Sequence, residues 1–296
     1  MSALSGIPQR IAANPICGYG NNASPAVEPT AWATIALTAA GLFAPADTAR
    51  RWLLNQQKND GSWPSNPHGE NSVWTTSLAL LACLNSNMPA RAAIDRGVAS
   101  LLANQGKSRP KHPNFGHDSE ITGWAWVSDT SSWVEPTALA VLALKAAGYG
   151  DHWRTREGVR LLKDRLLPDG GCNYGNTSVL GNVLRPHVQP SGLALLALAG
   201  ESSPEPTVQD RVAKSLGYLE RSVDPRTTVA SLSFALLGLA AHQRRPAYWQ
   251  SALETAWQRS NDTFAWSAYR ASLVVVTDLY EQIPVFPQTI SSRPNP

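Results

Sequence analysis

The stretch "WLLNQQKNDGSW", Trp52 to Trp63, joins a helical pattern closed by two glutamines to a turn that ends in tryptophan. Asp60, Gly61 and Ser62 would make an adequate turn by themselves, so the large aromatic behind them requires a place to be buried. One such segment is a local accident unless the chain repeats its setting, and the chain does repeat it. "EPTAWATIALTAAG", Glu28 to Gly41, carries proline just inside its start and glycine at its end, the asymmetry of a capped helix. "EPTALAVLALKAAG" repeats it from Glu135 to Gly148, and looser copies start at Val73, Val188, Thr227 and Phe264. Six versions of one helix, about 40 to 60 residues apart, predict six structural repeats.

Helices of a second kind lie between these. "DTARRWLLNQQ", "ARAAIDRGVASLLANQ", "HWRTREGVRLLKDRLL", "TVQDRVAKSLGYLERS" and "AYWQSALETAWQRS" mix charged and apolar residues at helical period, so each has one dry and one wet face. The Ala/Leu helices are apolar nearly all round and belong inside. Connected alternately, the two kinds can both be satisfied by an inner ring wrapped by an outer one, an all-α architecture. The short segment "SGIPQRIAAN" from Ser5 is expected to supply the sixth outer helix, closing the ring with the two termini together. One domain over 1–281 is expected, followed by a C-terminal tail, 282–296, that is poorly ordered.

Composition excludes several function classes. The chain of 296 residues is 43% hydrophobic and 16% charged, with a net charge of +3, which suits a globular protein. No basic run exceeds the pairs Arg50-Arg51 and Arg244-Arg245, so nucleic acid is not an expected partner. Cys17, Cys83 and Cys172 lie far apart without metal-finger spacing, the usage of reduced thiols in a cytoplasmic protein. No apolar run reaches the ~18 residues of a membrane span, and the N-terminus lacks the core of a signal peptide.

The opening stretch resembles the QW repeat of squalene cyclases and other terpenoid cyclases, with Trp52, Leu53, Gln57, Gly61 and Trp63 at the motif positions. A second copy keeps Arg96, Gly97, Leu101 and Gln105 but lacks the Gly-x-Trp, and a third has Cys172 in place of tryptophan. The resemblance covers about Tyr19 to Tyr280 and implies the α/α toroid shared by terpenoid cyclases and protein prenyltransferase β subunits. Gln57 and Trp63 then read as a staple between neighbouring repeats, satisfying open helix ends and filling the wedge between hairpins.

Chemistry is expected at one mouth of the ring. The two longest connections, from Gly106 and from Pro168, both lead into inner helices and should crowd that mouth. Phe115, Trp124, Trp126 and Trp133 would line it with aromatic faces suited to carbocations, or else pack the loop onto the ring. Trp74, Tyr174 and His187 are further candidates for ligand contact. Class II cyclases begin one inner helix with Asp-x-Asp-Asp-Thr-Ala, the middle aspartate being the acid. The matching "WVEPTA" has Glu135 at that place, with Trp133 and Pro136 where acidic neighbours would stand. Glu28 holds the same position in the first repeat. Each glutamate has two readings, a cap for free helix N–H groups or a catalytic or ligand-binding carboxyl whose proton burial would retain.

No Asp-Asp-x-x-Asp magnesium cluster is present, and Asp169, Cys172 and His187 only loosely match the zinc ligands of prenyltransferase β subunits. No metal and no cofactor are expected. Two function classes stand side by side. One is an isoprenoid-binding enzyme performing acid-initiated cyclisation or isomerisation with Glu135 as acid. The other is a non-catalytic toroid that binds an isoprenoid or a protein. A peripheral membrane contact fits an apolar ligand of this kind, and oligomeric state is left open.

Overall fold

Helices that are apolar all round alternate with amphipathic ones along the chain, and that alternation builds the architecture. The structure, a computed structural model, describes residues 4–65, 71–88, 90–112 and 114–288. Among these residues the inner helices are α2 (Val27–Ala39), α4 (Val73–Leu84), α6 (Val134–Ala146), α8 (Val188–Leu198), α10 (Val229–Ala241) and α12 (Ala268–Asp278). The outer helices are α1 (Ile7–Ala12), α3 (Phe43–Gln56), α5 (Arg91–Ala103), α7 (Trp153–Asp164), α9 (Pro206–Ser222) and α11 (Trp249–Thr263). Each inner helix packs on the next, and α12 packs on α2, so the α/α toroid is closed.

Burial follows composition. Every residue from Thr75 to Cys83 of α4 and from Val134 to Leu144 of α6 is buried. An outer helix such as α7 buries only the stripe Arg154, Thr155, Gly158, Val159, Leu161 and Leu162, the i, i+3, i+4 spacing of one face. Alanine and glycine let inner helices approach closely. A Cβ on Gly192 of α8 would lie 2.3 Å from the Phe234 carbonyl oxygen of α10, so those backbones touch. Gly41 and Gly148 stop α2 and α6 in the left-handed region, at φ +72° and +87°. There the N–H of Leu42 and of Tyr149 returns to the carbonyl five residues back, at 2.9 and 2.8 Å.

Ring closure falls where expected. α1 packs on α12 and α2, Ser267 Oγ donates to the Tyr19 carbonyl at 2.6 Å, and the Arg10 guanidinium lies 3.9 Å from the centre of the Trp266 ring. The last two inner helices start later than their apolar patterns. Thr228 and Ser267 cap them by accepting from Ser231 and Arg270 N–H, and Phe264 instead ends α11, exposed. Within the expected tail, 282–296, two residues pack on the core. Ile283 and Phe286 are buried, with Phe286 stacked at 6.2 Å on Tyr280. Residues 289–296 lie outside the described residues.

The staple is built as its sequence implies. Trp63 is fully buried, its indole N–H donates to the Leu53 carbonyl at 2.7 Å, and its backbone N–H donates to Thr76 Oγ1 at 2.9 Å. Gln57 Nε2 donates to the carbonyls of Gly61 and Ala93 at 3.0 and 2.9 Å, while Arg96 donates to its Oε1 at 2.6 Å. The ring of Trp63 rests where a Cβ on Gly97 would be, 2.9 Å from that position.

The second copy has not lost its tryptophan. Trp124 is fully buried, donates its indole N–H to the Leu101 carbonyl at 2.9 Å and its backbone N–H to Thr137 Oγ1 at 2.9 Å, and sits over Gly158. Loop residues inserted after Gln105 separate the motif in sequence while its geometry persists. Cys17 and Cys172 take the same place in two other repeats, their backbone N–H groups donating to Thr30 Oγ1 and Ser191 Oγ. All three thiols are free and buried, and burial pushes each up to about 12. No helix among the described residues is long and apolar enough to cross a membrane.

Candidate functional site in the lumen

The inner helices enter the ring in phase. Val27, Val73, Val134, Val188 and Ala268 each open one, so the residue after each, Glu28, Trp74, Glu135, Gln189 and Tyr269, stands at an equivalent position. The residue four further on shares its face, which places Trp32, Leu78, Leu139 and Leu193 one turn deeper. Together with Phe234 of α10 and Trp126 of the long loop, these two tiers line a cavity of about 290 Å³. The first tier is polar and aromatic, and the deeper one is leucine, tryptophan and phenylalanine.

The two carboxyl groups face different surroundings. One oxygen of Glu28 accepts from the Tyr19 hydroxyl at 2.5 Å and from the Trp74 indole N–H at 3.0 Å. Burial raises its pKa, and these donors oppose the shift. Glu135 is 5% exposed and its Oε1 has no hydrogen-bond partner. Burial pushes it up to about 7, the Gln189 side chain opposes this, and the charge of Glu28 adds to it. Neither glutamate caps its helix. The N-cap residues are Ala26 and Trp133, without side-chain cap bonds, and the Glu28 carboxylate is bound to Tyr19 and Trp74 instead. The capping reading therefore fails.

Of the residues singled out from sequence, Glu28, Trp74, Trp126 and Glu135 meet in this cavity, with Trp74 and Trp126 edge to face at 5.2 Å. The others lie elsewhere. Trp124 is a staple in the wall. Phe115 and Trp133 border a separate cavity of about 210 Å³ formed by the long loop. Tyr174 and His187 pair their rings at 4.7 Å in exposed positions, outside the lumen lining. The two long connections do meet as expected, since Val134 N–H donates to the Tyr174 carbonyl at 2.8 Å and Gly116 N–H to Ser178 Oγ at 2.9 Å. Sequence reasoning missed Tyr19, Trp32, Gln189, Phe234 and Tyr269. Aligning "VEPTA" with "VQPSG" would have found Gln189, because both follow the same valine.

Asp169, Cys172 and His187 form no metal site. His187 N–H donates to the Cys172 carbonyl at 2.9 Å, the Cys172 thiol is sealed in the core, and Asp169 sits in an exposed turn. Among the described residues no group of three His, Cys, Asp or Glu is placed to hold an ion.

No protein-family model matches the chain. A (+)-kolavenyl diphosphate synthase from Herpetosiphon aurantiacus is 34% identical over 129 residues, which is 43% of this chain and 21% of that protein. The chain thus spans about a fifth of the length of this curated relative. Among solved structures, a type II terpene cyclase from Scytonema in complex with geranylgeranyl dihydroxybenzoate matches with a TM-score of 0.61 at 13% identity, over 95% of this chain and 98% of that one. A glycosidase matches at 0.56 and 11% identity over 96% and 98% of the two chains. Native alpha-2-macroglobulin from Escherichia coli matches at 0.55 and 16% identity, over 94% of this chain and 42% of that one. The chain is an α/α toroid that shares its fold with type II terpene cyclases, a glycosidase and alpha-2-macroglobulin.

Proposed function

We propose that the lumen binds an isoprenoid and that Glu135 donates the proton that starts its cyclisation or isomerisation. The observation that carries this reading is the unpartnered Oε1 of Glu135, buried at the edge of a cavity whose deeper tier is Leu78, Leu139, Leu193, Trp32 and Phe234. An apolar chain fits that tier and an acid stands at its rim. The fold shared with a cyclase bound to a geranylgeranyl compound supports the ligand class, as does the diterpene synthase relative.

The two carboxyls divide the work by environment. Glu28 receives two donors on one oxygen, which favours its ionised form, whereas Glu135 Oε1 receives none. When like charges share a dry site, the proton rests on the group with fewer donors, so Glu135 is the acid and Glu28 the counter-charge. The proton passes from the Glu135 carboxyl to an alkene carbon, leaving a carboxylate and a carbocation. Loss of a neighbouring proton to the Glu135 carboxylate restores the alkene and re-forms the acid, which closes the cycle. A carboxylic acid that titrates near neutrality is weak for this task. Most of the barrier must therefore be lowered on the cation side, by the π faces of Trp74, Trp126, Trp32 and Phe234, each worth roughly 1–2 kcal/mol when dry.

Paired carboxylates in a toroid also suit glycoside hydrolysis, and a glycosidase shares the fold. The leucine tier offers sugar hydroxyls no partners, which favours the isoprenoid. The test is incubation with geranylgeraniol and geranylgeranyl diphosphate, with extraction and mass analysis. Wild type should convert at least one, and Glu135→Gln should leave both unchanged. A wild type that binds them tightly and returns them intact would make the lumen a non-catalytic binding site.

A further inference from the structure

A hairpin of two short antiparallel strands, Ser178–Val179 and Asn182–Val183, stands in the connection from α7 to α8. Leu180 and Gly181 form its turn, both in the left-handed region at φ +49° and +79°. Asparagine followed by glycine makes that two-residue turn most readily. Leucine there crowds its Cβ against the following carbonyl oxygen, and its side chain packs on nothing, being 89% exposed. Val183 beside it is 62% exposed and Val179 45%. Backbone strain joined to contiguous exposed aliphatic surface marks a contact that the isolated chain does not make.

The register distinguishes the kinds of surface that could cover the tip. Ser178 pairs with Val183 and Val179 with Asn182. Cross-strand partners share a face and successive residues alternate, so Val179 and Val183 lie on opposite faces with Leu180 at the tip between them. A protein groove would dry one face, whereas a fluid apolar medium surrounds both. The charge nearby fits lipid phosphates. Gly116 N–H donates to Ser178 Oγ at 2.9 Å, which ties the hairpin to the loop carrying Lys107 and Arg109. Both cations share a cavity wall with Asn176 at the foot of the hairpin, and Arg185 follows the second strand. All three are exposed. Arg109 and Arg185 form no ion pair among the described residues, and Lys107 has only Asp129, at 3.8 Å. Asp118 and Glu120 of the same loop are engaged by Lys111. Two residues of strand carry the tip about 7 Å beyond Ser178, within the ~5–10 Å to which interfacial segments enter a bilayer.

We propose that this hairpin docks the chain on an anionic lipid surface, with Leu180 entering the apolar layer and Lys107, Arg109 and Arg185 meeting lipid phosphates. None of these residues borders the lumen, so the docking stands or falls apart from the reaction assigned there.

Co-sedimentation of the full chain with vesicles of phosphatidylcholine, alone or mixed with phosphatidylglycerol, tests the assignment. Wild type should bind the mixed vesicles more tightly, and added salt should release it. Arg109→Gln and Arg185→Gln should each weaken binding to the mixed vesicles about fivefold. Leu180→Asn should weaken it at least tenfold and at the same time raise the melting temperature, because asparagine takes the left-handed turn position without strain. The opposite signs of those two effects separate lost docking from lost folding. Absence of binding to the mixed vesicles overturns the proposal, as does a Leu180→Asn variant that binds like wild type. Equal binding to both kinds of vesicle, with no loss in the arginine variants, overturns it as well.

Discussion

Replacing Glu135 by glutamine should stabilise the protein at alkaline pH and leave it nearly unchanged in acid. The carboxyl titrates at about 7 in the fold against an ordinary value of 4.5. Because its pKa is raised, the folded state holds the proton more tightly than the unfolded chain. Stability is then full below pH 4.5 and declines as pH rises, reaching its floor once pH passes about 7. The gap between those values, at about 1.4 kcal/mol per pH unit, amounts to about 3 kcal/mol. For a domain of this size that corresponds to roughly 5–10 °C in melting temperature. Glutamine keeps the shape and the Gln189 neighbour but cannot ionise. The assay is thermal melting of wild type and variant from pH 4.5 to 8.5. The difference between them isolates Glu135 from other titrating groups, including Glu28, whose raised pKa acts in the same direction. A difference in melting temperature that is the same at both ends of the range would refute the desolvation of Glu135, and with it the acid role.

Trp63→Ala and Trp124→Ala should each cost about 3–5 kcal/mol in denaturant unfolding; a Trp124→Ala protein as stable as wild type would remove Trp124 from the staple. Prenyl turnover should fall as pH rises through about 7, as the Glu135 proton is lost, and a flat profile across that range would exclude it as the acid. Glu28→Gln removes a like charge from beside Glu135, so the descending limb should move to lower pH, read from the pH–rate profile. Leu139→Trp should fill the deeper tier and weaken farnesol binding at least tenfold; titration that finds unchanged affinity would place the ligand elsewhere.

The toroid was legible because its helices repeat one pattern six times and alternate with amphipathic partners. The site was legible only in part, and the reason lies in those same helices. A helix that is apolar all round has no preferred inward face, so periodicity could not say that Trp32 and Leu78 border the lumen while their neighbours fill the wall. Phase could have said it, since Glu28, Trp74, Glu135 and Gln189 each follow a valine that opens an inner helix. The aromatic loop was harder. Trp124 and Trp126 are two residues apart, yet one is a sealed staple and the other faces the cavity. Loops carry no period from which that division can be read. The insertion after Gln105 also hid the repeat, because sequence spacing was lost while the hydrogen bond from Trp124 to Leu101 was kept.

The contact of Ser267 with Tyr19 spans 248 positions, and this has a consequence for how the protein is made. Early pairs of helices can dock as they leave the ribosome, because each repeat touches its neighbour. The lumen cannot exist until α12 arrives, since Tyr269 and the Tyr19–Glu28 pair are neighbours in the ring but about 250 positions apart in sequence. Closing so long a loop is slow relative to local contacts. A nascent chain must therefore spend time as an open crescent with its leucine-lined inner faces bare, the interval in which a chaperone would matter most.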